Sequence, residues 1–195
     1  MKLYLTENSG NAYKVRLLLG FLNVPYEKVI IDLPGKENRQ PAYLKLSPRG
    51  QVPALEDEGR VYWDSSACLV YVARKFGGER WLPIAAAEMA EVMQWIALAG
   101  NEIQFGLQHG RNVLRGVRKG SAEECQALGR MALDTLENRL QTNDWLALGR
   151  PTIADLACYP YVALSDEAGI PLAHYPAVTK WLRRLEALPG WTRRG

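Results

Sequence analysis

The sequence is short of the features that mark specialised classes of protein. It has three cysteines, Cys68, Cys125 and Cys158, an odd number set far apart in apparently helical stretches. That excludes a disulfide framework and offers no metal-ligand spacing. His109 and His174 have no cysteine or carboxylate at ligand spacing, so no metal is expected. No window approaches the ~20 apolar residues that span a bilayer. Met1–Thr6 reads as a short strand rather than the start of a long apolar leader. Charge imbalance is small as well: the formal net charge is +3, far from the strongly basic face that nucleic acid selects. These absences lead to the expectation of a cytoplasmic protein that binds neither membrane nor nucleic acid.

What is present is a globular composition, 48% hydrophobic and 23% charged over 195 residues, enough to bury a core in one large domain or two small ones. Residues 1–77 hold 11 Lys/Arg against 8 Asp/Glu, and the remainder holds 13 of each. The positive excess therefore lies in the first part, where it suits an anionic ligand.

The first third alternates in kind. Lys2–Thr6 reads as a strand, and Asn11–Leu22 as a helix with Val15, Leu18, Leu19 and Leu22 on one face. Tyr26–Ile31 reads as a second strand, and Pro41–Leu46 as a short helix. Ala54–Glu56 and Val61–Trp63 flank Asp57-Glu58-Gly59-Arg60, a hairpin signal. Ser65–Lys75 follows as a helix ending at Gly77-Gly78. The order βαβ, helix, ββα predicts a small mixed sheet covered by helices. Beyond residue 84 only helical stretches remain, near 85–109, 121–140, 152–166 and 176–187. Thr152-Ile153-Ala154-Asp155 fits a capping box, which gives Asp155 a structural role.

Most of the chemistry lies in Ser47-Pro48-Arg49-Gly50-Gln51-Val52-Pro53-Ala54-Leu55, with Asp64-Ser65-Ser66 after it. Proline cannot donate to a sheet ladder, so Pro53 belongs at the first residue of a strand or on an edge. Were the Val52–Pro53 bond cis, the Val52 N–H and C=O would face outward, open to an extended peptide. Asp64-Ser65 stands where a helix begins, a favourable place to hold a carboxylate. Together these residues describe a site for a small anionic peptide.

Four landmarks follow one another along the chain: Ser9 after the first strand, Gln51-Val52-Pro53, Asp64-Ser65, and Pro151-Thr152-Ile153-Ala154-Asp155-Leu156-Ala157. With them the chain resembles the cytosolic glutathione transferase family over nearly its whole length. The resemblance implies an α/β thioredoxin-like domain over residues 1–77, a linker over 78–83 and an all-α domain over 84–195. It also implies glutathione as co-substrate, a small hydrophobic electrophile, no metal, and a homodimer. In such proteins the Val52-Pro53 turn would pair with the cysteinyl unit of glutathione, Asp64 and Ser65 would hold its γ-glutamyl end, and Gln51 would contribute nearby. Arg39 or Gln40 would approach the glycine carboxylate. Asn101, Phe105 and Gln108 would line the electrophile pocket, although core packing explains Phe105 equally well.

A thiol with a pKa near 8.5 is only a few per cent thiolate at neutral pH, and the thiolate is the nucleophile. A hydroxyl aimed at the sulfur stabilises the anion, as does the positive end of the helix near Asn11. Ser9 fits the donor role with Asn11 beside it, and Ser9-Gly10-Asn11 also fits a turn with a helix N-cap. Tyr4 and Tyr13 are weaker candidates, one in mid-strand and one on a helix face. Residues 6–13 contain no cysteine, which disfavours a mixed-disulfide mechanism, and Cys68 reads as packing. Arg111, Arg115 and Arg118 would share a face if their helix continues, as an anion-binding lip or a solvated or subunit surface. The expected reaction is conjugation of glutathione to an electrophile. A glutathione-dependent peroxidase or isomerase, or a non-catalytic regulatory or assembly protein on the same fold, are the alternatives.

Overall fold

The alternation in the first third builds a four-stranded sheet in the computed structural model, which describes residues 1–194. Strands β1 (Lys2–Leu5), β2 (Glu27–Ile30), β3 (Ala54–Asp57) and β4 (Arg60–Trp63) lie in the order β2-β1-β3-β4. β1 and β2 are parallel, joined through helix α1 (Gly10–Phe21), and the other pairings are antiparallel. Leu3, Leu5, Ala54 and Leu55 are fully buried, whereas β2 exposes Glu27, Lys28 and Ile30 as a charged outer edge. Glu58 and Gly59 both adopt positive φ, 50° and 74°, which matches the twist of a two-residue hairpin. Helices α2 (Pro41–Leu44) and α3 (Ser65–Val72) complete this unit. The helix expected to run to Lys75 widens into a π turn over Ala73–Gly77.

Two boundaries differ from the sequence reading. The segment 78–83 forms a short helix, α4 (Gly78–Trp81), whose Trp81 is buried and stacks on Phe21 at 5.5 Å. An apolar Trp-Leu pair is anchored by burial, so the division falls between Leu82 and Pro83. The segment 188–194, expected in the helical domain, belongs to the first unit. There the Tyr13 hydroxyl donates to the Thr192 carbonyl at 2.6 Å, and Arg194 donates to the Asn8 carbonyl.

The second unit, Pro83–Ala187, contains α5 (Ala86–Gly100), α6 (His109–Leu114), α7 (Ala122–Leu140), α8 (Ile153–Val162) and α9 (Pro176–Glu186). The first long stretch is interrupted rather than continuous. α5 stops at Gly100, Asn101 leaves helical geometry, and Ile103–Gln108 forms a π turn before α6. A methyl on Gly106 would run into the Gly129 backbone of α7, so small residues let these segments approach closely. The arginine face forms only in part, since Arg111 and Arg115 both reach the Glu167 carboxylate and Arg118 lies beyond the helix. Gly116 turns the chain at φ 69° after α6, and Arg111 is buried with its guanidinium on Glu167.

Two buried carboxylates hold the helical unit. Glu137 of α7 accepts the amides of Ala177 and Val178, both at 3.0 Å, and so caps α9 from another helix. Asp155 completes the capping box with Thr152 and also accepts Leu146 N at 3.1 Å and Trp181 Nε1 at 2.9 Å. Replacing Asp155 with Ala would leave these buried donors without an acceptor, at about 1–3 kcal/mol each. A loss of at least about 3 kcal/mol in denaturant unfolding is expected. Burial pushes the Asp155 carboxyl up to about 6, against hydrogen bonds that favour its charged form. The native state therefore holds this proton more tightly than the unfolded chain, whose carboxyl titrates near 3.9. Its contribution is full below about pH 4 and is lost as the pH rises through about 6. Wild type should gain stability over Asp155→Asn as pH is lowered from about 7 to 4. The opposite trend would mean that hydrogen bonding outweighs burial.

Candidate active site

The turn leading into β3 is gripped by side chains. Asn38 Nδ2 donates to the Gly50 carbonyl at 2.6 Å, and the Arg39 guanidinium to the Arg49 carbonyl at 3.3 Å. The Gln51 carbonyl accepts both the Tyr43 hydroxyl at 3.0 Å and the Ser47 hydroxyl at 2.8 Å. Ser47 Oγ in turn accepts the Gln51 amide at 3.3 Å. Ser47 is 1% exposed, so this small network is shielded from water. Gly50, at φ 59°, lets the chain pass where a side chain would meet the Asn38 carbonyl at 2.7 Å.

Beyond this grip the backbone is open. The Val52–Pro53 bond is cis, and the Val52 N–H and C=O carry no hydrogen bond among the described residues. β3 begins at Ala54. An unpaired N–H and C=O at a strand's entry suit an extended peptide, which would add a short ladder.

The neighbouring wall is the start of α3. Asp64 is the N-cap, held at φ 75°, ψ 133°, a conformation that costs a non-glycine residue about 1–3 kcal/mol. Its side chain accepts the Ser66 amide at 2.9 Å, and its carbonyl accepts the Cys68 amide at 3.0 Å. The other carboxylate oxygen faces Arg49 at 3.4 Å. Ser65 opens the helix, 7% exposed.

These parts line an open cleft of about 260 Å³, solvent at its mouth included. It is lined by Asn11, Ser47, Arg49, Gln51, Val52, Pro53, Trp63, Asp64 and Ser65. The structure thus brings together six of the residues singled out from sequence, Asn11, Gln51, Val52, Pro53, Asp64 and Ser65. Ser9 is not on the cleft wall. It is the N-cap of α1, and its Oγ accepts the Ala12 amide at 3.1 Å. Arg39 is also off the wall, because its guanidinium holds the turn from behind. Arg49, Ser47 and Trp63 were missed. Arg49 was legible as the one cation inside Ser47–Leu55, whereas Ser47 and Trp63 depend on how the turn folds.

The tyrosines considered as thiol partners are engaged elsewhere. Tyr4 donates to Glu56 at 2.6 Å, and that bond pushes its hydroxyl up to about 12. Tyr13 donates to Thr192. Cys68 is fully buried, and burial pushes its thiol up to about 12, the behaviour of a packing residue. Asn101, Phe105 and Gln108 lie in the helical unit, with Phe105 47% exposed against the edge of His109 and Gln108 accepting from Gln104 at 2.9 Å.

The family models for the glutathione S-transferase N-terminal and C-terminal domains match residues 8–75 and 91–189. The disulfide-bond oxidoreductase YfcG of Escherichia coli is 29% identical over 189 residues, covering 92% of this chain and 87% of that protein. Maleylacetoacetate isomerase of Pseudomonas aeruginosa is 30% identical over 189 residues, covering 92% and 88%. Among solved structures, a possible glutathione S-transferase from Rhodopseudomonas palustris superposes with a TM-score of 0.91 at 36% identity, covering 99% of this chain and 89% of that one.

Two glycines separate backbone strain from crowding. Gly59→Ala, at φ 74° in open space, should cost about 1 kcal/mol through its backbone alone. Gly50→Ala adds the collision with Asn38 and Arg39, so it should lower the melting temperature further and weaken ligand binding. Equal melting temperatures for the two variants would contradict the described packing of the turn.

Proposed function

The chain belongs to the glutathione S-transferase family, and we propose that it binds glutathione in the Val52–Ser65 cleft and transfers the thiolate to a small hydrophobic electrophile. The reading rests on the cleft itself, where Val52 offers a free backbone donor and acceptor beside Asp64 and Ser65. Val52 takes the cysteinyl backbone, and Asp64 and Ser65 take the γ-glutamyl end. That placement directs the sulfur toward the start of α1.

The thiolate then meets Ser9, Asn11 and the positive end of a twelve-residue helix. Capping does not disqualify Ser9, because a hydroxyl that accepts one hydrogen bond still has its proton to donate. Accepting the Ala12 amide polarises that O–H and makes it a better donor to an anion. Asn11 adds an amide N–H from the cleft wall. Neither residue removes the proton; each stabilises the charge left behind. Proximity in a site shared with the electrophile supplies the rest of the rate. We place the protein in the cytoplasm as a homodimer.

A glutathione-dependent isomerase is the second reading, favoured by the 30% identity with a maleylacetoacetate isomerase. It would use the same bound thiolate, adding to the substrate and leaving again. Residues 6–13 contain no cysteine and Cys68 is buried, so neither supplies a protein thiol nucleophile at the start of α1.

Glutathione titration with an aryl-halide conjugation assay tests the proposal. Wild type should bind glutathione below millimolar concentration and conjugate it. Ser9→Ala should lose a hydrogen bond to an anion, about 10- to 100-fold in turnover, with glutathione affinity little changed. Conjugation by Ser9→Ala at the wild-type rate would remove Ser9 from the mechanism and leave Asn11. Absence of glutathione binding would remove the function.

A further inference from the structure

Arg49 and Asp64 face one another across the cleft at 3.4 Å, and both are open to solvent, 56% and 41% exposed at the side chain. An ion pair in such a setting contributes little, so its partners exchange easily. Beside them Ser65 is 7% exposed, lines the cleft, and its hydroxyl makes no hydrogen bond among the described residues. Lining the cleft, that hydroxyl has its proton and lone pairs open to a ligand atom. Arg39, the other cation of this region, is occupied with the Arg49 carbonyl, which leaves Arg49 as the guanidinium on the wall.

The cleft thus presents one carboxylate and one guanidinium side by side. The γ-glutamyl end of glutathione presents the complement, an α-ammonium and an α-carboxylate on one carbon. We propose that Arg49 is a specificity-determining residue that forms, with Asp64, a clamp for this zwitterion; the inference rests on the glutathione reading above. On binding, Asp64 exchanges the guanidinium for the ammonium, and Arg49 with the Ser65 hydroxyl takes the carboxylate. The empty site keeps its two charges paired, and the occupied site keeps all four paired. A ligand bearing only the carboxylate would meet an uncompensated Asp64, and one bearing only the ammonium an uncompensated Arg49. The clamp therefore selects a free α-amino acid end over acylated or decarboxylated peptides.

Calorimetric titration of the full-length protein with three peptides tests the clamp: glutathione, glutaryl-Cys-Gly, which lacks the ammonium, and 4-aminobutyryl-Cys-Gly, which lacks the α-carboxylate. Wild type should prefer glutathione to both. Arg49→Gln should bind glutathione about tenfold more weakly yet bind 4-aminobutyryl-Cys-Gly at least as well as wild type does, since no guanidinium is left uncompensated. Arg49→Lys should recover part of the loss, and Arg39→Gln, which loosens the turn, should weaken all three peptides alike. Glutathione binding by Arg49→Gln equal to that of wild type, or an equal loss for glutathione and the decarboxylated peptide, overturns the clamp alone. Failure of wild type to bind glutathione at millimolar concentration overturns the glutathione reading and the clamp together.

Discussion

The grip of Asn38, Arg39, Tyr43 and Ser47 on the backbone of residues 49–51 is the constraint on which the cleft depends. It occupies the carbonyls of Arg49, Gly50 and Gln51 and the amide of Gln51, and it stops at Val52. A loop of this kind has no ladder of its own, so buried polar groups must find partners in side chains. Three of those four side chains come from the segment 38–43, which spans the end of a short 3-10 turn (Glu37–Arg39) and most of α2. That segment acts as a scaffold for the turn, and the turn as a scaffold for one open peptide unit. Gly50 makes the close approach feasible, because any larger residue would meet the gripping groups themselves.

The second wall follows a different logic. Asp64 holds an unfavourable backbone conformation because its side chain caps α3 and its carbonyl starts the helix ladder. The strain places a carboxylate and the Ser65 hydroxyl at the mouth of a helix, where the unsatisfied amides also favour negative charge. Cap, charge and strain are thus one arrangement, and Arg49 on the facing turn balances it.

Much of this was legible in the sequence. The mixed sheet followed from the βαβ and hairpin signals, and the Thr152–Asp155 box from a local pattern with one physical meaning. Val52, Pro53, Asp64 and Ser65 were singled out because a proline and a helix start constrain their own neighbourhood, and Gln51 because of the family resemblance; all five line the cleft. The failures were of another kind. Arg39 carries the right charge, yet its direction is set by the Arg49 carbonyl ten residues away. Ser9 was read both as a cap and as a thiol donor, and its capping bond is present. The break at Asn101 and the burial of Arg111 depend on packing against α7 and on Glu167, which no helical periodicity records. Where a residue's role is decided by partners distant in sequence, composition and spacing carry little of it.

The central claim is that this cleft holds glutathione with its sulfur as an anion at the start of α1. Ultraviolet titration of the thiolate of bound glutathione measures that directly. The account predicts an apparent pKa about two units below the free thiol value near 8.5. A bound thiol that titrates at its free value would contradict it, leaving a peptide-binding site without the chemistry proposed for it.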